Sequence, residues 1–475
     1  MSINNLITKT DFLVYLEAPR HFWALKNNKY DLTLNDFDKH LIEQGYIVEE
    51  QAKLFAQKYI LPKYSTKNSD LTFQETFVDG EFEARTDILV KNEQTNKWDI
   101  YEIKSVTKPK PEHYYDTTFQ TIILEKHLDI DKVFILHVNN DYIREGDFEL
   151  DLFLTAEDVT EKVATLKEET QGKMQDCVFL LSTDNYKLAT ECWKPKDCRC
   201  KDLCFPDLPE QSIYDLSRIT EKKVLQLRDD DVLDIKDVPL DFKLTTNQQI
   251  QVEVARSNNP FIDKKAISEE LEALEYPLYF LDYESYNPAI PIFDGYKPYQ
   301  QMVFQYSLHV LNSPNENLEH YEFVAQDQIE PSKELLTHMK QNIGKKGSVI
   351  VWYKGFECGR NKEMAQLCPD FADFMEDINN RTYDLRDIFK KNYYVDPQFK
   401  GSNSIKDVLP VLVPELNYKN LNIQNGAVAM ISWHKMVYES SNDKEKKEIL
   451  DNLLTYCEQD TLAMVKIWEF LTSVY

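Results

Sequence analysis

Apolar and polar residues alternate along the first part of this chain in a pattern that predicts helices followed by strands. Helical spacing of apolar residues runs through most of residues 1–60, including the segment 41–55. Strand-like alternation occupies residues 70–106, a helical pattern covers 112–128, and an apolar strand begins at Asp131. A further strand and a helix predicted to begin at Thr155 complete the region. This order predicts an α/β domain with a mixed sheet flanked by helices.

The pattern changes twice more along the chain. Residues 206–273 show only helical spacing, and we interpret them as a helical linker region. Strand patterns return at Leu278–Ser285, Gln301–Leu311, 319–325 and Val349–Tyr353, and an amphipathic helix ends the chain. The sequence therefore predicts a second α/β domain over residues 274–475.

Acidic and basic side chains interrupt the two central strands of the first domain. Asp87 lies in the first of them, and Glu102 and Lys104 lie two apart in the second, so they share one face. The polar turn at 91–97 predicts a hairpin that sets Asp87 beside Glu102. Two carboxylates and a lysine on one sheet face suit a divalent metal and an activated water. The alternative is a surface hairpin with an ordinary Glu–Lys pair.

A second group of carboxylates begins in the first strand of the second domain. Asp282 and Glu284 lie two apart in an apolar strand, where burial is costly unless a metal or hydrogen bonds compensate. Tyr456 and Asp460 lie four apart on the final helix and therefore share a face. The alternatives are an ordinary strand-end pair and a surface pair on a helix.

Cysteine spacing and charge add a third candidate site and a constraint on partners. Four of the eight cysteines, Cys192, Cys198, Cys200 and Cys204, lie within thirteen residues, which predicts a metal or cluster site in a reducing cytoplasm.

No apolar run of 18 residues and no secretory pattern is present, so we expect no membrane segment. The net charge of −26 predicts weak or salt-sensitive affinity for nucleic acid, improved by divalent metal.

Asp87, followed after fourteen residues by Glu-Ile-Lys, resembles the PD-(D/E)XK core of RecB-like nucleases. Gly45 matches the glycine of that family's opening helix. The resemblance implies a restriction-endonuclease-like fold and a site for Mg²⁺ or Mn²⁺. It assigns metal binding to Glu49, Asp87 and Glu102, water activation to Lys104, and orientation of Lys104 or the water to Gln120.

The cysteines at 192, 198 and 204 are similar to the C-terminal triplet of RecB-like nucleases that carry an iron–sulfur cluster. The resemblance implies a [4Fe-4S] cluster that joins the end of the nuclease domain to its start. Ala18 stands where the family's fourth cysteine lies, and Cys200 is a candidate replacement. Zinc is the alternative occupant.

The second domain resembles the RNase H-like DEDD exonucleases, because a meander of three strands opens on Asp-x-Glu and the last helix carries Tyr-x3-Asp. The DEDDy subgroup uses the tyrosine to orient the attacking water. Asp384 is a secondary candidate ligand, and Glu357 stands where the second-motif aspartate is expected. The resemblance assigns a pair of metals to Asp282, Glu284, Glu357 and Asp460, and a positioning role to Tyr456.

Over nearly its full length, the chain resembles a bacterial family of uncharacterised proteins that join a RecB-like domain to an exonuclease-like domain. The expected domains are 1–205, the linker region 206–273, and 274–475. The expected activity is metal-dependent hydrolysis of DNA, with RNA as the alternative substrate, in repair or defence. Two further hypotheses are a protein with one active site, whose other domain binds nucleic acid or a protein partner, and a scaffold that binds nucleic acid or protein without catalysis. In the one-site hypothesis, the departures from the family pattern at Glu357 and Lys354 make the second site the one expected to be inactive.

Overall fold

The chain folds into two units of mixed α/β structure, as seen in a computed structural model that describes residues 6–30, 34–183, 185–189, 198, 200–314 and 316–475. The first unit contains residues 1–206 together with 288–300. The second contains residues 207–287 and 301–475. Residues 207–273, interpreted above as a linker, therefore belong to the second unit.

The first unit contains eight described helices and eight described strands. The strands are β1 (Ile7–Thr8), β2 (Leu71–Phe73), β3 (Thr76–Asp79), β4 (Phe82–Arg85), β5 (Ile88–Lys91), β6 (Trp98–Lys104), β7 (Ile130–Val138) and β8 (Leu154–Asp158). The helices are α1 (Lys9–Glu17), α2 (Pro19–Lys26), α3 (Asp36–Phe55), α4 (Leu61–Tyr64), α5 (Pro111–Leu124), α6 (Leu150–Phe153), α7 (Thr160–Leu181) and α8 (Lys201–Cys204).

The main sheet of the first unit has the strand order β2-β5-β6-β7-β8. Strands β6 and β7 are parallel and are connected through α5, whereas the other neighbours are antiparallel. One face, with Leu89 and Ile100, packs in a cluster with Phe119 of α5. The other face, with Ile103, packs in a cluster with Val48 of α3. Because β6 is buried on both faces, any charged side chain on it requires partners.

Local capping explains the start of α1 but not the start of α7. Thr8 caps α1, and its hydroxyl accepts from the backbone N–H of Asp11. The helix predicted to start at Thr155 instead begins at Thr160, because residues 154–158 pair with β7. The prediction relied on the cap-forming side chain of Thr155. It was wrong because pairing with the buried neighbouring strand β7 determines the conformation of this residue.

A segment from the second half of the sequence completes the core of the first unit. Ala289 is fully buried, and its backbone N–H donates to Gln44 Oε1 at 2.8 Å. The hydroxyl of Tyr299 lies 2.7 Å from Ser105 Oγ, directly after β6. Residues 288–300, which connect two strands of the second unit, are thus part of the first.

The second unit contains ten helices and seven strands in its described part. The strands are β9 (Phe261–Ile262), β10 (Leu278–Tyr286), β11 (Met302–Leu311), β12 (Glu319–Val324), β13 (Ser348–Val351), β14 (Thr382–Asp384) and β15 (Tyr394–Val395). The helices are α9 (Glu221–Asp229), α10 (Thr246–Ser257), α11 (Lys264–Glu272), α12 (Ser332–Asn342), α13 (Lys354–Leu367), α14 (Ala372–Arg381), α15 (Asp387–Lys390), α16 (Ile405–Leu412), α17 (Gly426–His434) and α18 (Asp443–Ser473).

The main sheet of the second unit has the order β12-β11-β10-β13-β14. Strands β10, β11 and β12 form an antiparallel meander, and β13 and β14 add parallel strands on the other side of β10. Tyr279 and Leu281 pack in a cluster with Leu335 of α12 and Met364 of α13. Phe280, on the opposite face, contacts Trp468 of α18. Asp282 and Glu284 have the parity of Phe280, so they face the side on which α18 packs.

Residues 207–273 have a small hydrophobic core of their own that includes Ile213, Val224 and Val252. Helix α10 ends at Asn258, which adopts the left-handed conformation suited to a helix C-terminus. Within the described residues, no helix combines the length and apolar character needed to cross a bilayer.

Candidate active sites

The first candidate site lies where β5 and β6 run side by side. Ile88 pairs with Tyr101, so Asp87 continues the ladder next to Glu102, as the hairpin pattern predicts. Asp87 Oδ2 accepts a hydrogen bond of 2.8 Å from the backbone N–H of Ile103. Glu102 is only 1% exposed, so its charge must be compensated within the protein.

Lys104 forms the centre of a buried network with α5. Its ammonium lies 2.7 Å from Glu102 Oε1 and also contacts the carboxylate of Asp116. The Gln120 side chain donates to Glu102 Oε2 at 2.8 Å and to Asp116 Oδ1 at 3.0 Å. Burial alone would raise the pKa of Glu102, but the ammonium groups of Lys104 and Lys9 outweigh it and lower that pKa. The predicted residues Glu102, Lys104 and Gln120 therefore meet directly.

Lys9, which sequence reasoning missed, places a second ammonium between the two carboxylates. Its Nζ atom lies 2.8 Å from Glu102 Oε1 and 3.7 Å from Asp87 Oδ1. Burial and the charge of Glu102 raise the pKa of Asp87 to about 7, and Lys9 opposes that rise. The ammonium therefore lies between two carboxylates that a divalent cation would need.

Glu49 reaches this region through a glutamine. Gln74 Nε2 donates to Glu49 Oε1 at 3.0 Å and to Asp87 Oδ1 at 3.4 Å. Lys53, one turn further along α3, lies 2.9 Å from Glu49 Oε1. The structure thus brings Glu49 to the site through the amide of Gln74, a residue that no motif marked.

Replacing Lys9 with glutamine is expected to raise the affinity of the first site for Mn²⁺. The substitution removes a cation that competes for Asp87 and Glu102, and the change should be about tenfold, or 1.4 kcal/mol. Calorimetric titration of Mn²⁺ measures it, with Lys167→Gln as a control because Lys167 pairs with Glu125 on the surface. Unchanged or weaker Mn²⁺ binding by Lys9→Gln would show that Lys9 organises the carboxylates instead of competing for them.

Gly45 has no steric reason to be glycine within the described structure, because no heavy atom lies within 4 Å of the position of an added Cβ. Alanine there should stabilise α3 by about 0.5–1 kcal/mol through helix propensity. Gly172→Ala in α7 is the matched control, since it has the same open surroundings. Urea denaturation of both variants measures the gain, and a loss of stability only in Gly45→Ala would contradict the expectation.

The second candidate site brings three predicted carboxylates together. One ligand atom each from Asp282, Glu284 and Asp460 lies within 4.8 Å of the others. Asp282 and Glu284 project from one face of β10, and Asp460 projects from α18. Glu284 also lies against α17, where a Cβ added to Gly426 would lie 3.2 Å from Glu284 Oε2.

Two tyrosines surround Asp460. The hydroxyl of Tyr418 donates to Asp460 Oδ1 at 2.6 Å, and Tyr456 is 3% exposed one helical turn before Asp460. The ammonium of Lys406 lies 5.7 Å from the ring centre of Tyr418 and 5.8 Å from that of Tyr456. Lys406 donates to the backbone carbonyl of Gln424 at 2.8 Å. Tyr418 is a site residue that the sequence motifs did not reveal.

Glu357, at the start of α13, contributes a further buried carboxylate. Its Oε2 atom is buried and has no hydrogen-bond partner among the described residues. Burial, with a smaller contribution from Asp384, raises the pKa of Glu357 to about 8. The negative charge of Glu357 in turn helps to raise the pKa of Asp282. Glu357 therefore lies close enough to act electrostatically on the carboxylate group, as its position in the motif predicts.

The carboxylates of the second site repel one another. Burial and then the charge of Asp460 raise the pKa of Glu284 to about 8, against the opposing effect of Lys406. Burial raises the pKa of Asp460 to about 6, although the hydroxyls of Tyr418 and Tyr456 oppose that rise. Within the described part of the chain, none of Asp282, Glu284 and Asp460 forms an ion pair with a basic side chain. A buried, uncompensated group of oxygen donors suits a hard divalent cation.

The described cysteines of this segment pack into the core cluster that also contains residues of α1 and α2. Cys192 lies outside the described residues. Cys200 is buried in the cluster that contains Trp23 of α2, and Cys198 and Cys204 pack against the same cluster. A hydrogen bond with Cys198 is the largest of the effects that raise the pKa of Cys204. The contact with α2 agrees with the predicted proximity of the domain's end to its start, and the cluster itself stays a prediction.

Part of the chain matches a family model described as "Domain of unknown function (DUF2779)", over residues 279–404. The matched region contains Asp282, Glu284 and Glu357, and it ends before Tyr456 and Asp460.

Three relatives resemble a region of about 215 residues. "Uncharacterized protein UU173" of Ureaplasma parvum serovar 3 is 31% identical over 215 residues, which cover 41% of this chain and 31% of that protein. "Uncharacterized protein MG366" of Mycoplasma genitalium is 28% identical over 216 residues, covering 41% and 32%. Its homolog in Mycoplasma pneumoniae is 27% identical over 216 residues, covering 42% and 32%. The chain thus spans about a third of the length of these curated relatives.

A solved structure described as "Crystal structure of SSO0001" aligns with 44% of this chain and 90% of that chain. The TM-score is 0.26 and the sequence identity is 14%, values too low to support a conclusion about the fold.

Proposed function

We propose that this protein is a cytoplasmic metal-dependent nuclease that hydrolyses phosphodiester bonds of DNA, single-stranded or with free ends. A PD-(D/E)XK site in the first unit would cut within strands, and a DEDDy site in the second would remove nucleotides from 3′ ends. A role in repair or defence against foreign DNA is the biological setting that we propose. RNA is the alternative substrate.

The observation that carries the proposal is the uncompensated group of Asp282, Glu284 and Asp460. Glu284 and Asp460 are buried and Asp282 is partly buried; their carboxylates lie within 4.8 Å of one another and form no ion pair in the described residues. Such a group is costly without a cation, and the buried, unpartnered oxygen of Glu357 nearby adds a further donor. Bound Mg²⁺ or Mn²⁺ would neutralise the phosphate's developing charge and lower the pKa of a coordinated water.

The arrangement of the strands in each unit supports the two nuclease folds that we propose. The first strand of the meander β10, β11 and β12 carries Asp282 and Glu284, as the RNase H-like resemblance requires. In the first unit, antiparallel β5 and β6 carry Asp87, Glu102 and Lys104 at their adjoining ends, and α5 follows with Gln120. Both arrangements are consistent with the two proposed nuclease domains.

In this mechanism the protein's own side chains orient the carboxylates and the attacking water, and they hold a proton beside the phosphate. Tyr418 holds Asp460 in place through its hydroxyl, and Tyr456, whose hydroxyl also bonds to Asp460, would orient the attacking water. In the first site, Gln120 fixes Glu102, while Lys104 holds a proton beside the scissile phosphate and stabilises its charge. Lys406, above the two tyrosine rings, is placed to bind a phosphate of the strand.

Within the single-active-site hypothesis, charge compensation favours the second site as the catalytic one. The carboxylates of the first site are already paired with Lys9 and Lys104, so a metal must compete with an ammonium there. Those of the second site are not paired in the described residues. In this alternative the first unit would bind nucleic acid.

The experiment uses circular and 3′-end-labelled single-stranded DNA, each with Mn²⁺ and with EDTA. We expect Mn²⁺-dependent shortening of the labelled strand and, if both sites act, cutting of the circle. The double variant Lys104→Ala, Asp282→Asn is the control for contaminating nucleases. Equal activity of the wild type and the double variant, or the same activity in EDTA, would refute the proposal; RNA substrates of the same sequence test the alternative.

A further inference from the structure

A third group of potential metal ligands lies in the second unit and has no part in the proposed nuclease chemistry. One ligand atom each from His309 on β11, His320 on β12 and Glu458 on α18 lies within 4.8 Å of the others. The two imidazole rings are 4.5 Å apart between centres. His320 Nδ1 lies 3.9 Å from Glu458 Oε1, whereas His309 is only 4% exposed.

A buried hydroxyl network links one nitrogen of each ring. Thr461 Oγ1 lies 2.8 Å from His309 Nδ1 and 2.8 Å from Ser307 Oγ, and Ser307 Oγ lies 2.9 Å from His320 Nε2. Thr461 and Ser307 are both fully buried. The two hydroxyls that connect the rings therefore have no access to solvent.

The proton positions in the network follow from the acceptor that the Thr461 hydroxyl takes. When this hydroxyl donates to the carbonyl of Glu458 at 3.0 Å, Thr461 accepts from both Ser307 and His309 Nδ1. Ser307 has then used its proton and must accept from His320 Nε2. The remaining nitrogens, His309 Nε2 and His320 Nδ1, therefore present lone pairs. Metal-binding histidines are characteristically oriented in this way by a hydrogen bond from the other ring nitrogen.

We propose that His309, His320 and Glu458 form a binding site for a divalent transition-metal ion of the zinc class. Two imidazoles and a carboxylate are ligands that zinc prefers, whereas Mg²⁺ favours all-oxygen sites such as the Asp282 group. Glu458 is about half exposed, so the ion can enter from solvent.

A bound ion here would connect α18 to strands β11 and β12 of the meander. Glu458 lies two residues before Asp460 on α18, and Ser307 pairs with Asp282 across β10 and β11. The ion would therefore fix the distance between the helix that carries Asp460 and the sheet that carries Asp282. We expect it to act on the geometry of the carboxylate group without contacting substrate.

The test is the number of Zn²⁺ equivalents that the full chain retains after gel filtration in excess Mg²⁺. Because the other candidate sites are common to all variants, only the difference between proteins matters. We expect His320→Gln and Glu458→Gln each to retain one equivalent fewer than the wild type, or to lower the affinity of that equivalent at least tenfold. His434→Gln is the matched control, because His434 forms a pair with Glu439 at 3.0 Å without a second histidine.

Two outcomes would overturn the assignment. The first is equal Zn²⁺ retention by the wild type, His320→Gln and Glu458→Gln. The second is an equal loss in His434→Gln, which would indicate binding to surface histidines in general. Glu458→Gln keeps the test decisive if His320→Gln folds poorly, because the Glu458 side chain is about half exposed and lies outside the buried hydroxyl network.

Discussion

Replacing Asp282 with asparagine is expected to lower the rate of 3′-end hydrolysis at least about 100-fold while raising the thermal stability of the metal-free protein. The rate falls because the substitution removes a ligand of the proposed metals, and even substitutions beyond the ligands cost 10- to 100-fold. Stability rises because burial and the charges of Asp460, Glu284 and Glu357 raise the pKa of Asp282. A carboxyl whose pKa rises on folding destabilises the folded protein at neutral pH, and the neutral amide removes that cost.

Thermal melts in EDTA and in Mg²⁺, together with rates on end-labelled DNA, measure both effects. Mg²⁺ should stabilise the wild type more than Asp282→Asn. Asp451→Asn is the control, because Asp451 is exposed on the same helix, α18, and should change neither quantity. A melting temperature in EDTA that falls in Asp282→Asn would show that the carboxylate is stabilising, and the site would then not be a group prepared for a cation.

Replacing Lys104 with alanine is expected to destabilise the protein by about 3–5 kcal/mol and to abolish cutting of circular DNA. The substitution leaves Glu102 and Asp116, each 1% exposed, without the ammonium that they share. Removing one partner of a buried ion pair leaves an uncompensated charge, which is the origin of that magnitude. Chemical denaturation measures the loss of stability, and the circle assay measures the loss of cleavage.

Lys167→Ala supplies the comparison, because Lys167 and Glu125 form a partly exposed pair worth about 0–1 kcal/mol. Adding Asp116→Asn to Lys104→Ala should restore part of the stability, because Asp116, whose only ion pair in the described residues is with Lys104, is then neutral, whereas Glu102 keeps its ion pair with Lys9. Equal losses in Lys104→Ala and Lys167→Ala would contradict the buried-network interpretation.

Local patterns were sufficient to place the residues of each site that lie on regular elements. Period two in β6 predicted that Glu102 and Lys104 share a face, and the spacing of four on α18 predicted the same of Tyr456 and Asp460. The turn at 91–97 predicted the approach of Asp87 to Glu102, and the ladder register bears out that placement. These relationships depend on residues that are close in the sequence or joined by a short hairpin, so they can be predicted from one sequence.

Contacts between distant parts of the chain could not be read in this way. Lys9 reaches Glu102 across 93 positions, and Tyr418 reaches Asp460 across 42. Lys9 follows a helix-capping threonine and Tyr418 follows Asn417 in a polar loop, so local features explained each of them without the site. Glu102 already has Lys104 as a partner two residues away, so nothing in the sequence required the second, distant cation that Lys9 supplies.

The segment 288–300 also determines when the first unit can finish folding during synthesis. Its core needs Ala289, and the end of β6 needs the hydroxyl of Tyr299. A ribosome that has released only residues 1–206 has therefore produced the strands of this unit without its last core residues. Folding of the first unit is completed only after residue 300 has emerged, when β10 of the second unit is also already available. The order of translation thus couples the maturation of the two units.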